Sequence, residues 1–305
     1  MPGCLKTKKS MKKTLILGML CCFSIMSHSQ DLMQLLDAQK QQESEKIPVE
    51  GTFKTVRLIN GYTTEIAGKT DLVFSISHRF GEITSGIYEF YGIDESTIRF
   101  GFEYGLSNRV SLGLGRSNFD KLYDGFVKLK LIQQATGGSP VTLMLMEGMA
   151  IKTIDWVYPD LDYPLSARFF YSHELFISRK FNQQFSAQIV PAVVHRNMVK
   201  TTDEQNVVPA LGVGANYTVN KWLSLSAEYF HLLPGNTADN FTNSLAIGVE
   251  METGGGHVFQ VHLSNSHGMT EKAFIAETTN KWTDGDIQLG FNIIRVFHLK
   301  KKNKR

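Results

Sequence analysis

From about residue 70 to its end, the chain repeats short stretches in which apolar and polar residues alternate. Ile98, Phe100, Phe102 and Tyr104 interleave with Arg99, Gly101, Glu103 and Gly105, and Leu245, Ile247, Val249 and Met251 interleave with Ser244, Ala246, Gly248, Glu250 and Glu252. A period of two marks a β-strand with one apolar and one polar face. The pattern predicts twelve strands, near residues 70–80, 97–105, 109–117, 123–133, 141–151, 166–179, 184–196, 206–218, 222–231, 243–251, 257–264 and 286–298. Most have the roughly 9–11 residues with which a tilted strand crosses a bilayer. The links between them are sorted: short at 106–108, 134–140, 180–183, 219–221 and 252–256, and longer at 81–96, 118–122, 152–165, 197–205, 232–242 and 265–285. Short turns on one side and long loops on the other point to an all-β, up-and-down antiparallel transmembrane β-barrel of about 12 strands, polar within and apolar without. An even strand number places both termini beside the short turns, in the periplasm.

The N-terminus precedes this pattern. Lys8, Lys9, Lys12 and Lys13 lead into an apolar run from Thr14 to Met26, and Ser27-His28-Ser29 supplies small residues for cleavage before Gln30. Residues 1–29 therefore read as a signal peptide. Residues 30–52 form an N-terminal periplasmic segment, a short helix or disordered, in which 31–47 is a candidate for docking a periplasmic partner. The barrel is expected over 53–299 and a basic periplasmic tail over 300–305. Residues 52–60 admit three readings: a strand, a hairpin partner, or part of an inward-folded plug.

Removing the signal changes the charge balance. Five of the 32 Lys and Arg lie within residues 1–29, leaving 27 basic against 29 acidic residues, so nothing points to nucleic acid. All three Cys (Cys4, Cys21 and Cys22) also lie in that segment, which excludes disulfides and Cys chemistry from the mature chain. No later apolar run approaches the ~18–20 residues of a membrane helix, so a membrane crossing requires a closed barrel.

The last strand alternates Ile287, Leu289, Phe291 and Ile293 against Gln288, Gly290 and Asn292 and reaches Phe297, similar to the terminal signal read by barrel-assembly machinery. Arg295 falls on its apolar face, where a charge is tolerated only near the interface. The segments HRFG at 78–81, GRSNF at 115–119, YDGFVK at 123–128, VHRN at 194–197, ETGGGHVFQ at 252–260, NSHGM at 265–269, FIAET at 274–278 and GDIQLGFNI at 285–293 resemble an uncharacterised family of outer-membrane β-barrel proteins of Bacteroidota. The resemblance implies a bacterial outer-membrane barrel in contact with outer-membrane lipid. It brings no activity and no catalytic residue.

Candidate chemistry is sparse. His262 and Ser264 stand two apart on one strand, the spacing by which lipid hydrolases bring a base to a hydroxyl. Phe259, Val261 and Leu263 must face lipid, which turns Gln260, His262 and Ser264 into the lumen, away from any lipid substrate; no enzyme activity is expected. The nine His are scattered along the chain without HxxxH or HExxH spacing, so no metal or other cofactor is expected. Alternation sends Arg79, Arg99, Glu103, Lys128, Lys130, Gln188, Glu228, Glu250, Glu252, Gln260 and His262 inward. Such a lining is either a mutually neutralising network or a narrow polar channel for small solutes, and twelve strands lie between a filled and an open barrel. A structural barrel that displays its loops is the competing reading. In the loops, 155–164 packs aromatics, acids and two Pro. The longest, 265–285, carries Met269, Phe274, Ile275 and Trp282, so it folds inward or against a partner. Two positional expectations follow from the pattern: a tag at Asp160 or Ala276 is reachable from outside, and Gly113→Ser, pointing inward, is far milder than Leu112→Arg on the lipid face unless the lumen is crowded.

Overall fold

A computed structural model describes residues 46–156, 158–235, 237–253 and 255–300. The signal peptide, most of the 31–47 segment and all but the first residue of the 300–305 tail lie outside the described residues. Among the described residues, one large unit takes in 48–135 and 139–300, and a small one Lys46, Ile47 and Thr136–Gly138.

The large unit is a closed barrel of twelve antiparallel strands. They are β1 Asp71–Glu82, β2 Ser96–Gly105, β3 Val110–Ser117, β4 Leu122–Ile132, β5 Thr142–Lys152 and β6 Phe169–Lys180. The second half is β7 Phe185–Arg196, β8 Val207–Thr218, β9 Leu223–Leu232, β10 Ser244–Thr253, β11 His257–Ser264 and β12 Gln288–His298. Each strand pairs with its neighbours in sequence, and β12 closes on β1 through Gly290↔Arg79, Ile293↔Ile76 and Val296↔Val73. Pleating sets the faces. On β2, Arg99, Gly101, Glu103 and Gly105 point in, while Phe100, Phe102 and Tyr104 stand exposed outside.

The links are sorted by length less cleanly than the sequence pattern implies. The β3–β4 link on the long-loop side is only residues 118–121, whereas the β4–β5 turn on the opposite side runs over 133–141. The tight link is possible because Asp120 and Lys121 adopt left-handed backbone (φ 55° and 47°), while the Asn118 carbonyl accepts the N–H of Lys121 at 3.1 Å.

The barrel wall begins at residue 71, not 53. Residues 52–67 run inside the barrel, and of the three readings open for 52–60 the inward plug is the one adopted. Nor is the inward face uniformly polar. Phe126, Met144, Met146, Phe176 and Val190 form a buried apolar cluster around Tyr62, and Val73, Val258 and Ile294 pack on Val56 and Ala67. The reason is the plug: its own apolar side chains need apolar wall to pack against.

Candidate functional site: the filled lumen

The plug is a tight hairpin. Leu58 N–H donates to Gly61 O at 2.9 Å, Thr63 N–H to Val56 O at 3.0 Å, and Arg57 bridges Tyr62. The wall takes over the bonds its tip would otherwise make. Glu228 on β9 accepts the successive backbone N–H groups of Ile59, Asn60 and Gly61 at 3.2, 2.7 and 3.1 Å. Gln260 on β11 donates to Leu58 O at 3.0 Å, and Asn292 on β12 to Ile59 O at 2.9 Å. Arg79 on β1 donates to the Asn60 side-chain oxygen at 2.7 Å. Buried backbone must be paired, and here side chains of three strands pair it while Arg79 of a fourth holds the Asn60 side chain.

The rest of the plug is held by charge and rings. Glu103 accepts Ala67 N–H at 3.1 Å and pairs with Lys128 at 2.9 Å. Lys128 and Arg57 lie over the Tyr62 ring at 4.3 and 4.0 Å, an arrangement favoured in a desolvated setting. Arg99 forks onto Asp124, and burial raises the Tyr62 phenol well above its ordinary value, so it stays protonated.

Of the residues expected to line the lumen, Arg99, Glu103, Lys128, Glu228, Glu250, Gln260 and His262 are all buried and point inward. Lys130 is half-buried near the short-turn end, and Glu252 is exposed there. Gln260 joins Glu250 to Asn292 with bonds of 2.7 Å each. His262 and Ser264 face inward from β11; the Ser264 hydroxyl accepts from Asn60 Nδ2 at 3.2 Å, and His262 lies against Gly248 and Gly290. The alternation had set Asn292 on the polar face of the last strand but passed over Asp124 and Glu174, though both share the inward phase of their strands. It had also passed over Arg57, Asn60 and Tyr62, for which the Asn60-Gly61 pair, a common hairpin dipeptide, was the available signal.

A second occupant fills the long-loop end. The 265–285 loop turns inward, burying Met269 and packing Phe274, Ile275 and Ala276 among Val194, Val208, Ala210 and Phe230. Ala276 is fully buried, so a tag there is not reachable, contrary to the sequence expectation. Trp282 is half-buried and donates its indole N–H to Leu245 O at 2.9 Å. Ion pairs fasten this loop: Lys272 to Asp120 at 3.2 Å and to Glu277 at 2.6 Å, Arg196 to Glu204 and Glu277 at 2.8 and 3.3 Å, and Lys152 to Asp120 at 3.1 Å. Phe230 sits between the occupants, 5.1 Å from the Phe274 ring and against the Cα of Gly61.

A closed barrel with an apolar belt outside and charged groups within defines a membrane β-barrel protein. The chain belongs to the family described as a membrane bound beta barrel domain (DUF5777), whose model matches residues 53–297. Among solved structures it is similar to the NanC porin (8% identity, TM-score 0.46, covering 74% of this chain and 98% of that one). It is also similar to the COG4313 outer membrane channel from Pseudomonas putida F1 (11%, 0.46, 76% and 97%) and to the KdgM porin (8%, 0.43, 76% and 100%). None of the curated proteins matches the chain.

Proposed function

We propose that the protein is a non-enzymatic conduit for small polar solutes in a bacterial outer membrane, of Bacteroidota on its sequence motifs, and that residues 52–67 are its movable stopper. The observation that carries this reading is the lining behind the plug. Arg79, Arg99, Glu103, Lys128, Glu228 and Gln260 face the space the plug fills, and a barrel meant only to be solid has no need of so many charges there. The plug precedes β1 and is tied to the wall at both ends, near residue 70 and through Val49 N–H to Gln134 O at 2.8 Å and Lys180 Nζ to Gly51 O at 2.9 Å, so withdrawal of its hairpin breaks no pairing between barrel strands. His262 and Ser264 face this lumen rather than lipid, which supports a role in the lining and not in hydrolysis. We read Phe297, at the C-terminal, short-turn end of β12, as part of the segment the assembly machinery takes up.

Planar-bilayer recording of the full chain beside a variant lacking residues 53–66 tests the proposal. Rare openings of the full chain and steady conductance of the deletion are expected. A deletion variant that retains the heat-resistant barrel and stays silent would favour a structural barrel displaying its loops. The stacked Trp156 and Tyr163 rings, 4.2 Å apart beneath Arg168, give that second reading a rigid surface to display.

A further inference from the structure

The lipid-facing belt carries an ionisable pair at mid-height. On β5, Leu143, Leu145, Met149 and Ile151 point outward with Glu147 among them; on β6, Tyr171, Leu175 and Ile177 point outward around His173. Glu147 and His173 are direct cross-strand partners. The carboxylate Oε2 and the imidazole Nδ1 are in hydrogen-bond contact, yet the two side chains are 47% and 53% exposed. The hydrocarbon core offers neither donors nor acceptors, and an ionisable group there needs a protein partner.

The chemistry of the pair specifies that partner. An imidazolium beside a carboxylate keeps a proton on Nε2 and a free acceptor at Oε1. If the shared proton moves to Oε2, the neutral imidazole still donates from Nε2 and the carboxylic acid still accepts at Oε1. The pair therefore presents one donor and one acceptor side by side, and among the described residues neither outer atom has a partner. A donor and an acceptor side by side are self-complementary under a two-fold rotation.

The surroundings suit close approach. Gly125 stands between Leu114 and Met149 in the strand register and puts no side chain there. The gap opens an apolar groove of about 720 Å³, walled by Phe102, Leu112, Leu114, Val127, Met149 and Tyr171 and reaching Glu147 and His173. Leu114 beside it is 70% exposed. Small residues let membrane walls approach closely where no hydrophobic driving force exists.

We propose that this face joins two copies of the chain about a two-fold axis along the barrel. Nε2–H of each His173 donates to Oε1 of the partner's Glu147 across the axis. Because the chain has no Cys after residue 22, single Cys variants report the contact directly. In native membranes under copper-phenanthroline, Met149→Cys is expected to give at least five times more disulfide-linked dimer than Val261→Cys, which lies outward on the opposite strand β11. Adding Glu147→Leu with His173→Leu, or Gly125→Leu, should cut that yield at least fivefold while the heat-resistant barrel persists. The double Leu variant removes both polar groups together, so it leaves no orphaned charge to unfold the barrel. Equal cross-linking at Met149 and Val261, a yield indifferent to both sets of substitutions, or a trimeric product would each overturn the proposal.

Discussion

Glu228 and Asn60 lie 168 residues apart, and the Glu228 carboxylate accepts the Asn60 backbone N–H at 2.7 Å. With the flanking N–H groups of Ile59 and Gly61, the hairpin tip forms a small concavity of donors of the kind that holds an anion. The wall thus recognises the plug through its backbone, and the contact is charge-assisted.

Removing that carboxylate should release the plug. Glu228→Ala leaves three buried donors without their acceptor, a cost of roughly 3 kcal/mol to seating. Arg57 is 2% exposed in the seated state. Trypsin should therefore cut after Arg57 in the variant and spare it in the wild type. Equal protection in both would show that the apolar contacts alone hold the plug.

The two faces of β3 should respond differently from what alternation alone predicts. Leu112→Arg places a charge in the lipid belt and should cost roughly 2–4 kcal/mol. Gly113→Ser is no longer expected to be mild. A Cβ at Gly113 would stand 2.0 Å from the Phe126 ring tip, and that ring is packed in the Tyr62 cluster. Loss of heat-resistant barrel on gels should appear in both variants; an unaffected Gly113→Ser would mean that the ring can move aside.

Acid should loosen the inward loop. Burial raises the Asp120 carboxyl, but Lys272 and Lys152 outweigh it and hold the group below its ordinary value. A depressed carboxylate contributes stability that is full above its unfolded value and is lost as pH falls through the folded one. The loop should thus stay fastened at neutral pH and release only below about pH 4. Asp120→Asn should mimic the release at neutral pH, costing roughly 1 kcal/mol for a partly exposed pair. Maleimide labelling of Ala276→Cys reads both, and labelling independent of pH and of Asp120 would reject the clamp.

Lipid turnover should be indifferent to His262→Ala and Ser264→Ala. Both groups face the lumen, and Ser264 is engaged by Asn60. Membranes carrying either variant should match the wild type in released fatty acid. Turnover abolished in both would require β11 to present the opposite face.

Strand positions were legible because all twelve strands begin and end within about three residues of the alternation, and pleating leaves little freedom once one face is apolar. The 53–67 segment was not, since a hairpin whose partners are side chains on distant strands carries no period of its own. β5 defeated the polarity rule outright. Its Met144 and Met146 point inward while Glu147 points out, because the register fixed by Thr142, Ser172 and Ser178 outranks the preference of one acid. Hence most of the lumen lining could be named from the alternation, whereas the plug and the outward pair could not.

The hairpin tip also spans the line where the sheet closes on itself. Asn60 is bound by Arg79 of the first strand, Ile59 by Asn292 of the last, and Arg79 and Asn292 hydrogen-bond each other at 3.2 Å. Closing the first strand on the last across more than two hundred residues is the costliest encounter in assembling such a ring. A short segment beside the first strand that already holds docking groups for the last acts as an internal template for that final joining. The same residues that stop the lumen would then set the order of biogenesis, and a chain deprived of them would be slowest at its seam.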